Sequence, residues 1–422
     1  GLDHAMKKNN DIIRVLKHSP DYRKLLATTT VTGLTTWGSF ISMLVLLGKI
    51  TDNGLQLGTL WAVSGLVPIA MSFLLGGLID RMDTKKIIIV SELLKSPLYA
   101  LFILVPVFDG WAAWIFFFVI RFFIGVLSSL TTVARQTIIP EIMKEEDLII
   151  ANSLNFSLSS LIRLIGAASG GVLVTLLNLN VFWILTSLSF IYAGITMWTL
   201  NLKNSQIKPK ERNFLSELKI GLSVVKKQIY IRYVLLFALT GGLIVGSFNL
   251  MIQQMVNHIY HVPPIGISML YVGEGLTSVI LGLWIANNKI FFKNIHRYGY
   301  SYILMGLTWA VFGLSNNLFE GTFIMVLHAF VGGFIVPFER HVMQTHVESN
   351  LRGRVFGLWN TCSMVSMQFG AFLTGVIIQY LGLRSVTPLA ALLEIVLGVV
   401  FFFRFRGKKL AFTNQESFTS SS

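Results

Sequence analysis

The sequence holds a single cysteine in 422 residues, Cys362, set within an apolar segment. An internal disulfide and a cysteine metal cluster are both excluded. Charge is scarce as well. Asp, Glu, Lys and Arg make up 13% of the chain against 54% hydrophobic residues, with a mean hydropathy of +0.68. A water-soluble globule of this length cannot be that apolar, so the chain reads as a polytopic membrane protein. It has no Gly-x-x-x-x-Gly-Lys-Ser/Thr phosphate loop, which excludes ATP-driven work by this chain alone. It also lacks a His-Glu-x-x-His motif, and its eight histidines are scattered. No metal site, catalytic group or cofactor is expected. Gly1–Ala5 read as residues ahead of a natural start at Met6, and the hydrophilic stretch that follows has no apolar core of a cleavable leader.

What is present is a succession of apolar segments, each near the roughly 20 residues needed to cross a hydrocarbon core of about 30 Å. They fall at 24–48, 57–79, 86–107, 111–133, 152–177, 181–202, 231–256, 266–287, 298–315, 321–343, 355–380 and 385–404, the ninth being the shortest. Of the 34 Lys and Arg residues, 29 lie in loops and termini on one side, two (Lys49 and Arg384) on the other, and three within spans. The positive-inside rule then puts both termini in the cytoplasm and accounts for the net charge of +14 without nucleic acid. The expected organisation is a cytoplasmic segment 1–23, a six-helix bundle 24–202, a linker 203–230, a second bundle 231–404 and a tail 405–422. Within the linker, Leu215, Leu218, Leu222 and Val225 recur at helical spacing, the pattern of an amphipathic helix on the membrane surface or of a plain tether.

The two halves repeat. Gly166 and Gly171 match Gly370 and Gly375, and Leu154 matches Leu358, at an offset of 204. Between the second and third segments stands Gly76-Gly-Leu-Ile-Asp80-Arg81-Met-Asp83-Thr84-Lys85-Lys86, a short polar hairpin at a membrane surface. This stretch resembles the loop signature Gly-x-Leu-x-Asp-Arg-x-Gly-Arg-Lys of the major facilitator superfamily, with Asp83 and Thr84 departing from it. Arg121-Phe-Phe-Ile-Gly125 is similar to the superfamily's Arg-x-x-Gln-Gly, and Gly166-Ala-Ala-Ser-Gly170-Gly171 to the Gly-Pro-x-x-Gly-Gly of its antiporters. Leu351-Arg352-Gly353-Arg354-Val355 adds a likeness to the bacterial branch of siderophore exporters and macrolide-efflux proteins. The resemblance implies an all-α membrane protein with twelve helices in two pseudo-symmetric bundles, sited in a bacterial cell membrane. It further implies a monomer working by alternating access on a proton gradient.

Charges at membrane depth cost about 2.5 to 3.5 kcal/mol each on insertion scales and so face cavities or partners. Lys95, Arg121 and Arg163 are such cations in the first half, with Glu92 three residues before Lys95. Glu274 and Glu394 are acids in the second half. One reading makes the cations a binding wall for an anionic substrate, joined by Trp37, Thr36, Asn249 and Gln253. Glu274, Glu394, Glu92 and Arg121 would then handle protons. The other reading pairs the charges structurally, Glu92 with Lys95, and Arg121 or Arg163 with Glu274 or Glu394. At the inner surface, Gly76, Asp80 and Arg81 with Arg135, Arg352 and Arg354 form a candidate latch. The expectation is therefore a proton-coupled exporter of a small anion, most plausibly a carboxylate siderophore. Efflux of macrolides or other drugs is the alternative, and a non-transporting receptor a third. Beyond substrate and membrane lipid, no partner is expected.

Overall fold

The computed structural model describes residues 2–79, 82–202 and 214–406 and contains only helices and turns among them. In chain order these are α1 (Leu2–His18), α2 (Pro20–Ile50), α3 (Gly54–Ile79), α4 (Thr84–Leu101), α5 (Gly110–Ile142), α6 (Leu148–Leu176) and α7 (Leu179–Trp198). They continue with α8 (Phe214–Lys227), α9 (Ile229–Met255), α10 (Ile265–Asn287), α11 (Ile295–Phe312), α12 (Leu318–Gly332), α13 (Ile335–His346), α14 (Arg352–Leu381) and α15 (Val386–Phe405). Among the described residues, 11 stretches are long and apolar enough to cross a membrane. The ninth expected span is present as α11, an 18-residue helix whose tyrosines, glycines and Arg297 keep it less apolar than the others. Helix starts follow local chemistry. Asp83, one of the two departures from the loop signature, caps α4 by accepting the Lys85 N–H at 3.1 Å. Asn178, Asn294 and Asn317 cap α7, α11 and α12 in the same way.

The chain divides into two compact units, Gly1–Glu211 with Ile252–Gly275, and Arg212–Met251 with Leu276–Ser422. In the first, α2 packs on α6 and α7, and α4 and α5 on their neighbours. Its core at one end gathers Val15 of α1 with Tyr22, Leu25, Ile88, Ala134 and Ile138. The Tyr22 hydroxyl donates to the Ala151 carbonyl at 3.1 Å, and Lys85 Nζ donates to the carbonyl of Leu200 just beyond α7 at 2.7 Å. The turn between α9 and α10 belongs to this unit because its polar groups bond there. Gln253 Nε2 donates to the Leu44 carbonyl, Ser268 Oγ to the Ala167 carbonyl, and the Ile265 N–H to Thr175 Oγ1 at 3.0 Å.

In the second unit α11 packs along α15 and α12, and α8 lies on α14. Small residues set the distance between α9 and α14. A Cβ on Gly246 would sit 1.9 Å from the Met367 carbonyl oxygen, and one on Gly370 2.4 Å from that of Leu243. Close helix contact in a membrane relies on such positions.

Candidate functional site

In the first unit the helical rise brings Glu92 and Lys95 onto one face of α4. Both are buried, 1% and 4% exposed. Lys95 Nζ lies 3.8 Å from Glu92 Oε1 and 4.6 Å from the Phe190 ring centroid. Arg135 of α5 reaches the same carboxylate oxygen at 3.3 Å and donates to Thr29 Oγ1 at 2.8 Å and Thr28 Oγ1 at 3.1 Å. One acid thus serves two cations, tying α2, α4 and α5 together. The hydroxyls of Thr29, Thr30 and Thr32 also bond back to their own helix carbonyls.

A second pair joins α6 to α10. Arg163 Nη2 lies 3.0 Å from Glu274 Oε2 and donates to Oε1 at 3.2 Å, the structural pairing that the sequence admits as the alternative to an anion site. Beside it Phe40 stands edge-on to Trp37, Trp61 and Tyr271, with centroids 5.5 to 6.2 Å apart. Trp37 is backed by Gly166, where a Cβ would come within 2.6 Å of the Trp37 Cβ. Arg121 makes no salt bridge among the described residues. It lies within electrostatic reach of Tyr99, which in turn lies close to Thr36. Gln253 is fully buried, with its amide nitrogen committed to Leu44.

The second unit is built differently. Glu339 of α13 is 3% exposed and Glu394 of α15 is 0% exposed, and neither makes a salt bridge among the described residues. Glu339 instead accepts from the Tyr302 hydroxyl at 3.0 Å through Oε1 and from Trp359 Nε1 through Oε2. The Tyr302 ring stacks on Phe237 at 3.9 Å between centroids. These residues line a cavity of about 230 Å³ together with Gly241, Gly242, Asn360 and Ser363. Glu394 packs against Gly306, where a Cβ would lie 3.1 Å from its own, and both of its carboxyl oxygens are buried with no hydrogen-bond partner among the described residues. Asn249 is half-buried on α9.

Glu339 is absent from the residues that the sequence brings forward. Its neighbour Arg340 does not pair with it, because residues one apart on a helix do not face each other. Arg340 is exposed. The signal that identifies Glu339 is its place on the apolar stripe Ile335, Phe338, Val342, Met343, all of which are buried.

Of the latch residues, Asp80 and Arg81 lie outside the described residues. Gly76 falls in the last turns of α3. Arg135 is engaged with Glu92, Arg352 Nε donates to the Val347 carbonyl at 3.0 Å, and Arg354 stands in the first turn of α14.

The sequence description of the Major Facilitator Superfamily matches residues 25–367. The chain belongs to the major facilitator superfamily. Macrolide efflux protein A of Streptococcus pyogenes is 23% identical over 340 residues, covering 77% of this chain and 81% of that protein. The multidrug efflux pump Tap of Mycolicibacterium fortuitum is 23% identical over 376 residues, covering 86% and 90%. Among solved structures, the nucleoside transporter NupG overlays with a TM-score of 0.67 at 15% identity over 92% of this chain and all of that one. A bacterial homologue of the iron transporter ferroportin, in an inward-facing state, gives 0.67 at 16% identity over 90% and 98%. These two establish the fold. This major facilitator is a multi-pass membrane transporter of small molecules and not an enzyme.

Proposed function

We propose that this major facilitator exports lipophilic molecules bearing a basic amine, in exchange for protons. The observation that carries the reading is Glu339, a buried carboxyl on the wall of a cavity, flanked by Trp359, Tyr302 and Phe237 and facing no cation among the described residues. Aromatic faces and an acid together suit an organic cation, through apolar contact, cation–π attraction and a charge-assisted hydrogen bond. The same carboxyl oxygen can hold a proton or an ammonium group, so the two compete, which is the chemistry that exchange requires. Glu394 stands behind it as a second proton carrier. The printed functions of the two efflux relatives support this reading, the alternative reached from the sequence. The anionic reading has less support, because Lys95 and Arg163 already face carboxylates.

A second reading, export of a small carboxylate such as a siderophore, rests on Arg121, which makes no salt bridge among the described residues. Everted membrane vesicles discriminate the two. An imposed pH gradient is expected to drive accumulation of a labelled macrolide, and Glu339→Gln is expected to reduce it about tenfold or more. Unchanged accumulation in Glu339→Gln would overturn the proposal. Loss of siderophore secretion in Arg121→Ala, with macrolide flux absent from the parent, would favour the second reading.

A further inference from the structure

Outside the cavity at Glu339, the second unit carries a larger hollow of about 740 Å³ on the outer side of α10, α11 and α12. Its walls are mostly apolar. Trp284 stands edge-on to Phe291 and Phe334, at 5.5 and 5.8 Å between centroids, and Phe330 edge-on to Phe334 at 5.4 Å. Leu281 fills the floor, and the mouth is formed by Ile280, Tyr300 and Leu304, which are exposed, Ile280 at 66%. The lining comes from the last turns of α10 and α12 and the first turns of α11, and a hollow opening sideways from such helices meets hydrocarbon along most of its depth.

Among the described residues, one charged side chain lines it. Arg297, in the first turn of α11, sits with its guanidinium carbon 4.4 Å from the Phe291 ring centroid and donates to the Phe291 carbonyl at 3.2 Å. It is exposed and makes no salt bridge among the described residues. The guanidinium has five N–H donors, so several stay available for an anion. The Lys and Arg distribution assigns this end of α11 to the cytoplasmic surface, where anionic headgroups gather. Tyr300 and Trp284, amphipathic residues suited to the interfacial layer, stand on the same hollow.

From this arrangement we infer that the hollow is a binding site for one anionic phospholipid, with an acyl chain between Leu281, Leu304 and Phe334 and the headgroup phosphate on Arg297. The apolar cleft accepts a chain, the Arg297 guanidinium at its end accepts a phosphate, and the lateral opening admits both from the bilayer. The inference is independent of the exported substrate.

Native mass spectrometry on full-length protein, released from bilayers holding equal amounts of phosphatidylglycerol and phosphatidylcholine, tests it. The parent is expected to retain one lipid with about a fivefold preference for phosphatidylglycerol, the weight of one cation near an anionic surface. Arg297→Gln is expected to keep the lipid and bring the preference close to one. Ile280→Trp, which fills the mouth, is expected to lower retention of both lipids severalfold. Absence of retained lipid in the parent would overturn the site. So would a preference unchanged in Arg297→Gln, or retention unchanged in Ile280→Trp.

Discussion

The two units handle buried charge in opposite ways. In the first, Glu92 is shared by Lys95 and Arg135, and Arg163 is met by Glu274, so most of the charge at depth is neutralised inside the unit. In the second, Glu339 and Glu394 are buried more deeply than most apolar side chains; Glu339 is met by hydroxyl and indole donors, and Glu394 by no hydrogen-bond donor among the described residues. A compensated charge mainly fixes helix positions, whereas an uncompensated one is available to a substrate or a proton. The first unit therefore reads as the more rigid partner in the chemistry, and the second as the one that carries the exchangeable site.

The comparison is broken most directly at Glu92. Glu92→Ala leaves two buried cations without their acid and is expected to destabilise the detergent-solubilised protein by about 3 to 5 kcal/mol, read as a lowered thermal midpoint. A change within experimental error would remove Glu92 from its structural role. Next comes Glu339→Gln, for which a tenfold loss of efflux corresponds to about 1.4 kcal/mol. Stability should alter less than in Glu92→Ala, because the amide still accepts from Tyr302. Equal loss of stability in both variants would erase the contrast between the units.

A double-mutant cycle on Arg163 and Glu274 sharpens the picture further. The Arg163 side chain is 40% exposed, so screening limits the expected coupling to about 1 kcal/mol or less. The smallest stability effect is expected for Glu394→Gln. It exchanges one uncharged-partner environment for another of the same shape and should change the thermal midpoint by the equivalent of about 0.5 kcal/mol or less. A large loss there would reveal a cation partner.

Much of the architecture is legible in the sequence. Apolar runs of the right length locate the helices, and Asp83 explains itself as an N-cap once α4 is seen to begin at Thr84. Glycines repeated between the halves mark close helix contacts, as at Gly166 and Gly370. The site is less legible. The Glu92–Lys95 pair can be read locally because three residues bring side chains onto one helix face. Arg135 joins that pair from 43 positions away in the chain, and only the packing of α5 on α4 decides it. Glu339 stands near the end of an apolar run, and only the packing of Tyr302 and Trp359 around it shows that its carboxyl is buried against a cavity.

By itself, then, the sequence determined a helical, polytopic membrane protein, because the length and hydropathy of each segment suffice to place a helix in hydrocarbon; the likeness to the major facilitator superfamily came from the short motifs between and within those segments. Tertiary structure alone decided which charges at depth are compensated. That property depends on which side chains meet within about 4 Å across helices, and no periodicity along a single helix records it.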